Sequence, residues 1–260
     1  MAALSVVVIT YNEERNIERC LESVRGLADE IVVVDSGSTD RTTELAKETG
    51  ARVVVHPFEG HIQQKNFALA RCSHEWVLSL DADEALSDQL KKSIAHALAS
   101  PAGDGYRMSR LTNYCGTWIR HGGWYPDRKL RLFRRGSGVW TGVNPHDRFE
   151  FSDPQSEAGL LQGDLLHYSY ATVSDHLRQI DYFTDISARE LHQRGKGAPL
   201  WRIILAPVFR FLRDFVLKGG WMDGFHGFVI ASLSASSVLI KYTKLRHFAR
   251  EENKYGRSSR

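Results

Sequence analysis

Two aspartates two residues apart, Asp81 and Asp83, follow directly on the apolar residues 76–80. Such a run predicts a buried strand. Side chains two residues apart in an extended chain point to the same side, so both carboxylates converge at the open end of that strand. Carboxylates suit a hard divalent cation such as Mg²⁺ or Mn²⁺, which leaves positions for substrate phosphates. The spacing therefore predicts a divalent-cation site at this strand end.

A helix start is the competing explanation for these acids. Ser87 is a suitable N-cap for a helix over residues 87–99, and acids are favourable near a helix N-terminus. This explanation accounts for acids close to Ser87. It does not account for two acids placed directly at the end of a core strand, and we therefore favour the metal site.

The residues upstream predict the elements that position these acids. Residues 4–9 and 31–34 are β-branched runs without polar alternation, as is typical of central parallel strands. Helical patterns follow both runs, with Asn12 as the expected cap of the first helix, and residues 52–55 add a third strand. Strands alternating with helices over the first hundred residues predict an α/β fold with a mostly parallel sheet.

Four acids, Glu13, Asp35, Asp81 and Asp83, stand at the carboxyl ends of predicted strands. Right-handed crossovers bring all these strand ends to one edge of the sheet, where open α/β sheets bind ligands. Four acids at one edge would repel one another. A bound cation, together with donors such as ribose hydroxyls or a base N–H, would relieve that repulsion.

Three segments, residues 10–13 (TYNE), 34–40 (VDSGSTD) and 80–84 (LDADE), carry a family resemblance in their order and spacing. They resemble family 2 glycosyltransferases, and within that family the chain looks most like the lipopolysaccharide core β-glucosyltransferases. The resemblance covers the whole chain. It implies a GT-A fold, a Rossmann-like sheet with flanking helices, and metal-dependent, inverting transfer of a hexose. The implied donor is UDP-glucose, and the implied acceptor is a lipid-linked saccharide such as the lipopolysaccharide inner core.

The resemblance also implies roles for individual residues in donor binding. The residues implied to bind the nucleotide-sugar are Thr10, Tyr11 and Glu13 in the uridine pocket, Asp35 on the uracil N3–H, Asp81 near the ribose or a metal-bound water, and Lys65. For Lys65, a solvated helix lysine is the alternative.

Two residues are implied to hold the metal ion. Asp83 would ligate the cation on the donor diphosphate, and His167 lies where GT-A enzymes often place a metal-binding histidine. A hydrogen-bonded core residue is the alternative for His167.

The general base is expected just after the glycine-rich residues 136–142. In relatives a short motif ending in an acid follows there, and that acid is the base of inverting enzymes; here it is Asp147. Many relatives carry Glu, so the shorter Asp147 must approach to about 3 Å from the acceptor hydroxyl. Asp127 and Glu150 are the alternatives.

Aromatic and basic residues interleave between residues 105 and 151. Aromatic rings stack on sugars and arginine forks hold phosphate, so Arg131, Arg134 and Trp140 are expected to face the acceptor or its phosphates. Strict alternation would place Leu130 and Leu132 on the same strand face as Arg134, with Arg131 on the other. A groove for single-stranded nucleic acid is the alternative, but a sugar-phosphate acceptor is the more economical explanation, and no nucleic-acid partner is expected.

The last quarter of the chain differs from the rest. Residues 195–260 hold twelve Lys and Arg against four Asp and Glu, a net charge of +8 within a total of +3. Residues 200–218 form an amphipathic helical pattern. Residues 228–240 are apolar apart from serines, and these thirteen residues are too few to span about 30 Å of hydrocarbon. We therefore expect no transmembrane segment but a monotopic attachment to an anionic membrane. A buried helical hairpin or a dimer interface is the alternative, and the oligomeric state is left open.

The predicted organisation is a GT-A domain over residues 1–194, with a nucleotide half to about 100, and a helical C-terminal region over residues 195–260. The expected location is the cytoplasmic face of a bacterial inner membrane. Two other functions compete. A sugar-1-phosphate nucleotidyltransferase would share the sheet and the acids, and a non-catalytic scaffold would share the fold.

Overall fold

The computed structural model describes residues 2–143 and 146–255. The chain forms two compact units: unit 1 comprises Met1–Leu111 with Pro126–Tyr168, and unit 2 comprises Thr112–Tyr125 with Ser169–Arg260. The sequence predicted a boundary after residue 194. The structure instead groups the helix before that point with the C-terminal helices, because the two pack together through Ala188 and Leu245.

Unit 1 is built from strands and short helices that alternate along its first hundred residues. Its strands are β1 (Leu4–Thr10), β2 (Glu30–Asp35), β3 (Arg52–Val55), β4 (Trp76–Asp81), β5 (Glu84–Leu86), β6 (Gly105–Tyr114, whose last residues belong to unit 2), β8 (Asp127–Arg134), β9 (Gly138–Val143), β10 (His146–Phe151) and β11 (Ala158–Tyr170, likewise). Its helices are α1 (Ile17–Val24), α2 (Thr42–Glu48), α3 (His61–Leu69) and α4 (Asp88–Ala99).

The main sheet confirms the predicted α/β class. Its strand order is β3-β2-β1-β4-β8-β6-β11-β5, with β1, β2, β3 and β4 parallel and β8 antiparallel to β4. Alternate residues of β1 enter two different cores: Val6 and Val8 pack with Leu78, whereas Val7 packs with Val32. Burial on both faces explains why these strands show no polar alternation.

The turns after β1 and β2 are held together by side chains. Asn12 adopts a left-handed backbone (φ 53°), its N–H donates to Ser38 Oγ at 2.8 Å, and its Oδ1 accepts from Thr39 N at 2.8 Å. The expected capping role of Asn12 is therefore wrong. Helix α1 begins only at Ile17, and Asn12 instead joins two adjacent strand-to-helix turns.

A register shift in β8 breaks the alternation that the sequence predicted for this strand. Leu132 pairs with Tyr106 and Leu130 with Arg107, which leaves Arg131 as an extra residue between the two pairs. An extra residue of this kind turns neighbouring side chains to a common side. Leu130 and Phe133 accordingly share one core and Leu132 lies in the other.

Unit 2 consists mainly of three helices, α5 (Val173–Gln193), α6 (Leu200–Leu212) and α7 (Gly224–Tyr255), with the short strand β7 (Thr117–Ile119). A π-helical turn (Arg213–Leu217) and a 3₁₀ turn (Gly220–Asp223) connect α6 to α7. Within the described residues, the stretch Gly220–Glu251 is long and apolar enough to cross a membrane by length and composition. The expectation that no segment qualifies is therefore wrong, because the thirteen-residue apolar run lies inside a longer helix.

Ser87 provides a test of the cap that starts α4. Its Oγ accepts from Leu90 N at 3.3 Å and from Asp164 N at 3.0 Å, so it joins the helix start to β11 as well as capping the helix. We expect Ser87→Ala to lower the free energy of unfolding by about 1–2 kcal/mol, measured by urea denaturation. Ser100→Ala at the exposed other end of α4 is the control; an equal loss there would contradict the capping role.

Candidate active site

A buried arginine lies under the carboxyl end of β4. Arg131 Nη2 contacts Asp81 Oδ2 at 2.5 Å and Glu84 Oε1 at 2.7 Å. Glu84 is fully buried in β5, and its Oε2 accepts from the Asp81 N–H at 3.0 Å. The turn between β4 and β5 brings these two carboxylates together, and the extra residue in β8 places the guanidinium between them.

The ion pairs continue in both directions from Arg131. On one side Lys65 Nζ lies 3.1 Å from Asp81 Oδ1 and 2.8 Å from Asp147 Oδ2. On the other side Arg110 lies 3.4 Å from Glu84 Oε1 and 2.7 Å from Asp127 Oδ2. The resulting charge chain alternates in sign from Asp127 through Arg110, Glu84, Arg131, Asp81 and Lys65 to Asp147. We call these seven residues the charge chain.

The charge chain keeps Asp81 ionised. Burial would raise the pKa of Asp81, but the charges of Arg131 and Lys65 outweigh it and hold the pKa well below its usual range. Burial would likewise lower the pKa of Arg131, but Asp81 and Glu84 raise it. The protein therefore supplies the cations that neutralise Asp81. The sequence had assigned that task to a bound metal and a ligand.

Asp83 and His167, the two predicted metal ligands, are brought together. His167 Nε2 lies 3.1 Å from Asp83 Oδ2, and the Tyr168 N–H donates to the Asp83 carbonyl at 2.8 Å. Adjacent ligands of an octahedral ion with bonds of about 2.1 Å are about 3.0 Å apart, so the two atoms fit one cation. Among the described residues, no group of three or more His, Cys, Asp and Glu could hold a metal ion. Two protein ligands suffice where substrate phosphates complete the shell.

The residues predicted for the nucleotide lie at the expected edge of the sheet, in differing environments. Tyr11 is 57% exposed, whereas Thr10 is buried and its Oγ1 has no hydrogen-bond partner within the described part of the chain. A buried hydroxyl without a partner is unusual in a folded protein, which makes Thr10 a candidate hydrogen-bonding group for a ligand.

Asp35 does not present its carboxylate to a ligand. Its Oδ2 accepts from Gly37 N at 2.9 Å and from Ser38 N at 2.8 Å, and its Oδ1 accepts from Ser38 Oγ at 2.5 Å. The residue is 1% exposed. The structure therefore corrects the expected contact between Asp35 and a uracil N3–H, because this carboxylate organises its own turn.

Among the three candidate bases, Asp147 is the one that shares a cation directly with Asp81. Lys65 links it to Asp81, as described above. Asp127 pairs with Arg110 and Lys129; burial would raise its pKa, but those cations lower it. Glu150 pairs with Arg148 at 2.5 Å on the exposed side of β10. Pro145, which precedes this segment in the sequence, lies outside the described residues.

The three residues predicted to face the acceptor are not placed as expected. Arg131 is buried in the charge chain, so it is not available to an acceptor phosphate. Arg134 pairs with Trp76 at the amino end of β4, the end opposite to Asp81, where it contacts Glu75. Trp140 is buried against Phe133 and Phe149, with Lys65 Nζ 4.5 Å from its ring centroid. These three expectations are corrected by burial and by strand register.

Sequence reasoning missed Glu84 and Arg110. Glu84 stood in the LDADE segment, but it was interpreted only as an acid near a helix start. Arg110 lies within the strand that follows α4, and nothing in its surroundings marked it as a partner of Glu84. Arg110 stands between Ser109 and Leu111, so no local pattern identifies it, and its pairing with Glu84 depends on the tertiary structure.

Comparison with known proteins identifies the family. Residues 5–149 match the sequence model described as Glycosyl transferase family 2. The chain belongs to glycosyltransferase family 2. It is therefore a glycosyltransferase, and the GT-A type of fold implied by the resemblance is confirmed.

Relatives of the family 2 domain extend the match over nearly the whole chain. An uncharacterized glycosyltransferase of Rickettsia typhi is 31% identical over 258 residues, which are 96% of this chain and 88% of that protein. The lipopolysaccharide core biosynthesis glycosyltransferase LpsC of Rhizobium meliloti is 31% identical over 252 residues, 93% of this chain and 91% of that protein.

Among solved structures, glucosyl-3-phosphoglycerate synthase from Mycobacterium tuberculosis, in complex with Mn²⁺ and UDP-glucose, is 30% identical to this chain. The match covers 43% of this chain and 44% of that chain, with a TM-score of 0.37. That TM-score is too low to support a conclusion about this chain.

Glu13 supplies a test of the electrostatics at this edge. Burial, helped by the charges of Asp83 and Asp40, raises its pKa to about 7 against an opposing hydrogen bond from Asn16. Between pH 4.5 and 7 the folded state therefore binds more protons than the unfolded state, and stability falls as pH rises.

We expect Glu13→Gln to become more stable than the wild type across this window, by at most about 3 kcal/mol at pH 8. Urea denaturation at pH 5, 6, 7 and 8 without divalent cations measures the difference. Glu48→Gln on the exposed side of α2 is the matched control. A difference for Glu13→Gln that is constant with pH would show that its carboxyl is not proton-linked to folding.

Proposed function

We propose that this glycosyltransferase is an inverting, metal-dependent enzyme that transfers a hexose from a UDP-sugar, UDP-glucose in the first instance, to a lipid-linked saccharide. The observation that carries the proposal is the arrangement at the end of β4. There the Asp83–His167 pair lies beside the charge chain, and the chain ends at Asp147, a candidate base. Family membership supplies the reaction type, and the site supplies the residue roles.

Asp83 and His167 would hold Mg²⁺ or Mn²⁺. When bound, the ion would neutralise negative charge developing on the leaving diphosphate. Arg131 and Lys65 would hold the Asp81 carboxylate in place, and this carboxylate would approach the ribose or a water molecule. Thr10 and Tyr11 would contribute to the uridine pocket, with the unpartnered Thr10 hydroxyl as a hydrogen-bonding group.

Asp147 would act as the general base. An acceptor hydroxyl oxygen attacks the anomeric carbon from the face opposite the diphosphate, the bond from that carbon to the UDP oxygen breaks, and the hydroxyl proton passes to an Asp147 oxygen. Lys65, at 2.8 Å from Oδ2, would fix the orientation of the carboxylate. No covalent intermediate is required.

The acceptor proposal rests on one relative and on chain composition. LpsC is named as a lipopolysaccharide core glycosyltransferase, and its likeness extends over 93% of this chain. A lipopolysaccharide inner core is therefore our proposed acceptor, and the cytoplasmic face of a bacterial inner membrane is the proposed location. Attachment would be peripheral or monotopic, through the basic C-terminal helices.

Two alternatives make different predictions. A nucleotidyltransferase would be expected to carry a glycine-rich basic loop after β1, whereas residues 10–16 contain no glycine. A non-catalytic scaffold would be expected to have lost the acids, which are present. UDP release measured with a panel of sugar nucleotides and membrane extract discriminates these functions: release that depends on both donor and extract supports transfer.

The metal proposal is tested at Asp83. Asp83→Ala should abolish transfer and weaken Mn²⁺ binding in the presence of UDP, while the thermal midpoint is retained, because the side chain lies at the edge of the sheet and not in a core. His167→Ala should weaken Mn²⁺ binding in the same assay, and Asp153→Ala in an exposed loop is the control. Full turnover in excess EDTA would overturn the metal assignment.

The base proposal is tested at Asp147. Asp147→Asn should lower kcat by roughly 10²–10⁴-fold and leave UDP-sugar affinity nearly unchanged, because the acid acts on the acceptor proton. Glu150→Gln, an exposed acid of the same strand, is the matched control. If donor binding falls as much as turnover, Asp147 belongs to the nucleotide site and the base lies elsewhere.

A further inference from the structure

Helix α6 has its apolar side turned outward. Residues at four-residue spacing form two adjoining rows along the helix, and each is between 49% and 63% exposed. We call these residues the α6 stripe: Leu200, Trp201, Ile204, Leu205, Val208, Phe209 and Leu212. None of the thirteen residues of α6 is buried. A surface helix of a globular domain normally directs such a stripe into the core.

The stripe continues into the connection to α7 with exposed Val216, Leu217 and Trp221. The two acids in this connection are withdrawn from solvent and have hydrogen-bonding or ion-pair partners. Asp214 is buried and pairs with Arg213 at 2.8 Å and with Arg210. Asp223 accepts from the His121 N–H at 2.8 Å, and its Oδ1 lies 2.8 Å from the His121 ring. Among the described residues, this surface therefore presents mainly apolar and basic groups, and both acids of the connection are already bound to partners.

Helix α7 is covered on two sides by its own unit. On the α5 side, Lys244 pairs with Asp181 at 2.7 Å, and Leu245 packs with Ala188. On the α6 side, the Arg202 guanidinium lies 5.7 Å from the Tyr242 ring, and Phe211 contacts Phe228. Crossing a bilayer would require α7 to separate from α5, which carries charged residues along its length. The apolar character of α7 is thus accounted for in part by helix packing.

We propose that the α6 stripe is the membrane-contacting surface, lying in the plane of an anionic bilayer interface, and that α7 does not cross the bilayer. This inference deepens the monotopic attachment proposed above and rests on it. The side chains of the stripe enter the boundary between headgroups and acyl chains, while Arg202 at the border of the stripe stays at headgroup level. An in-plane amphipathic helix needs only the depth of one helix face.

Charge favours anionic lipid over a second copy of the chain as the occupant. Residues 195–260 carry a net charge of +8, and the exposed Arg202 borders the stripe itself. Two copies joined through their stripes would bring these like charges together, which opposes association. An anionic lipid surface pairs with them and is weakened by salt.

The binding experiment is flotation of the full-length protein with vesicles of phosphatidylglycerol and phosphatidylcholine, compared with phosphatidylcholine alone. We expect binding to the anionic vesicles that high salt reduces in part. Leu205→Glu and Phe209→Glu should each lower the partition coefficient about tenfold or more, since burial of one such side chain is worth at least that factor. Leu177→Glu on α5, where Leu177 is similarly exposed, is the matched control and should bind as the wild type does.

Orientation is measured with nitroxide labels on cysteines introduced singly at positions 201, 205, 209 and 212, in a Cys115→Ser background. Cys20 and Cys72 are buried and can remain. An in-plane helix gives all four labels similar immersion depths. A helix inserted end-on gives a depth difference of about 16 Å between positions 201 and 212, because each residue rises 1.5 Å. That gradient would overturn the proposal.

Two further outcomes would also overturn it. One is absence of binding to anionic vesicles at low salt. The other is a dimer mass in light scattering, with the four labels immobilised before lipid is added, which would make the stripe a subunit interface. These readouts need no turnover, so failure of the transferase proposal, seen as absence of UDP release with every donor and extract, remains distinguishable from failure of this one.

Discussion

The ion pairs of Arg131 are the interaction on which the site depends most. This guanidinium is 3% exposed and is held between Asp81 and the fully buried Glu84. Removal of one partner from a buried pair leaves an uncompensated buried charge. The resulting loss of stability is larger than the net stabilisation that the intact pair provides. The extra residue in β8 and the tight β4–β5 turn are both needed to bring the three groups together. The geometry of the site therefore depends directly on the geometry of the strands at this edge of the sheet.

The acids at this edge of the sheet differ in the groups that surround and compensate their charges. Asp81 is neutralised by Arg131 and Lys65, and Asp35 is satisfied by the backbone and hydroxyl of its own turn. Among the described ion pairs, none gives Glu13 such a cation, and burial raises its pKa to about 7. Asp83 has His167 beside it. Of two aspartates that look equivalent in sequence, only Asp83 lacks a neighbouring Lys or Arg among its described ion pairs, which makes it the better candidate for an external cation.

The sheet could be predicted from sequence because its signals are local. Long β-branched runs, each ending in an acid, predicted β1, β2 and β4 and the edge that their carboxyl ends share. The partners of Arg131 could not be predicted in that way, since they depend on a register shift between β6 and β8 that no local pattern shows. The position of Arg134 also depends on strand pairing. Although it is close to Arg131 in sequence, it lies beside Trp76 at the opposite end of β4 from Asp81. Asp35 was assigned to a ligand because a side chain's local hydrogen bonds are invisible until the turn is known.

Helices α1 and α6 show what hydrophobic periodicity leaves undetermined. Both have one apolar side, and the pattern alone predicts that this side is covered. In α1 the covering is the sheet, with Ile17, Leu21 and Val24 buried in the core. In α6 the corresponding side is exposed, while Phe211, at the margin of that side, contacts α7. Periodicity thus identifies the apolar face of a helix. It does not identify the partner, protein or lipid, that covers this face. For α6 the remaining choice lies between lipid and protein, and the net positive charge of residues 195–260, with Arg202 at the margin of the stripe, favours lipid.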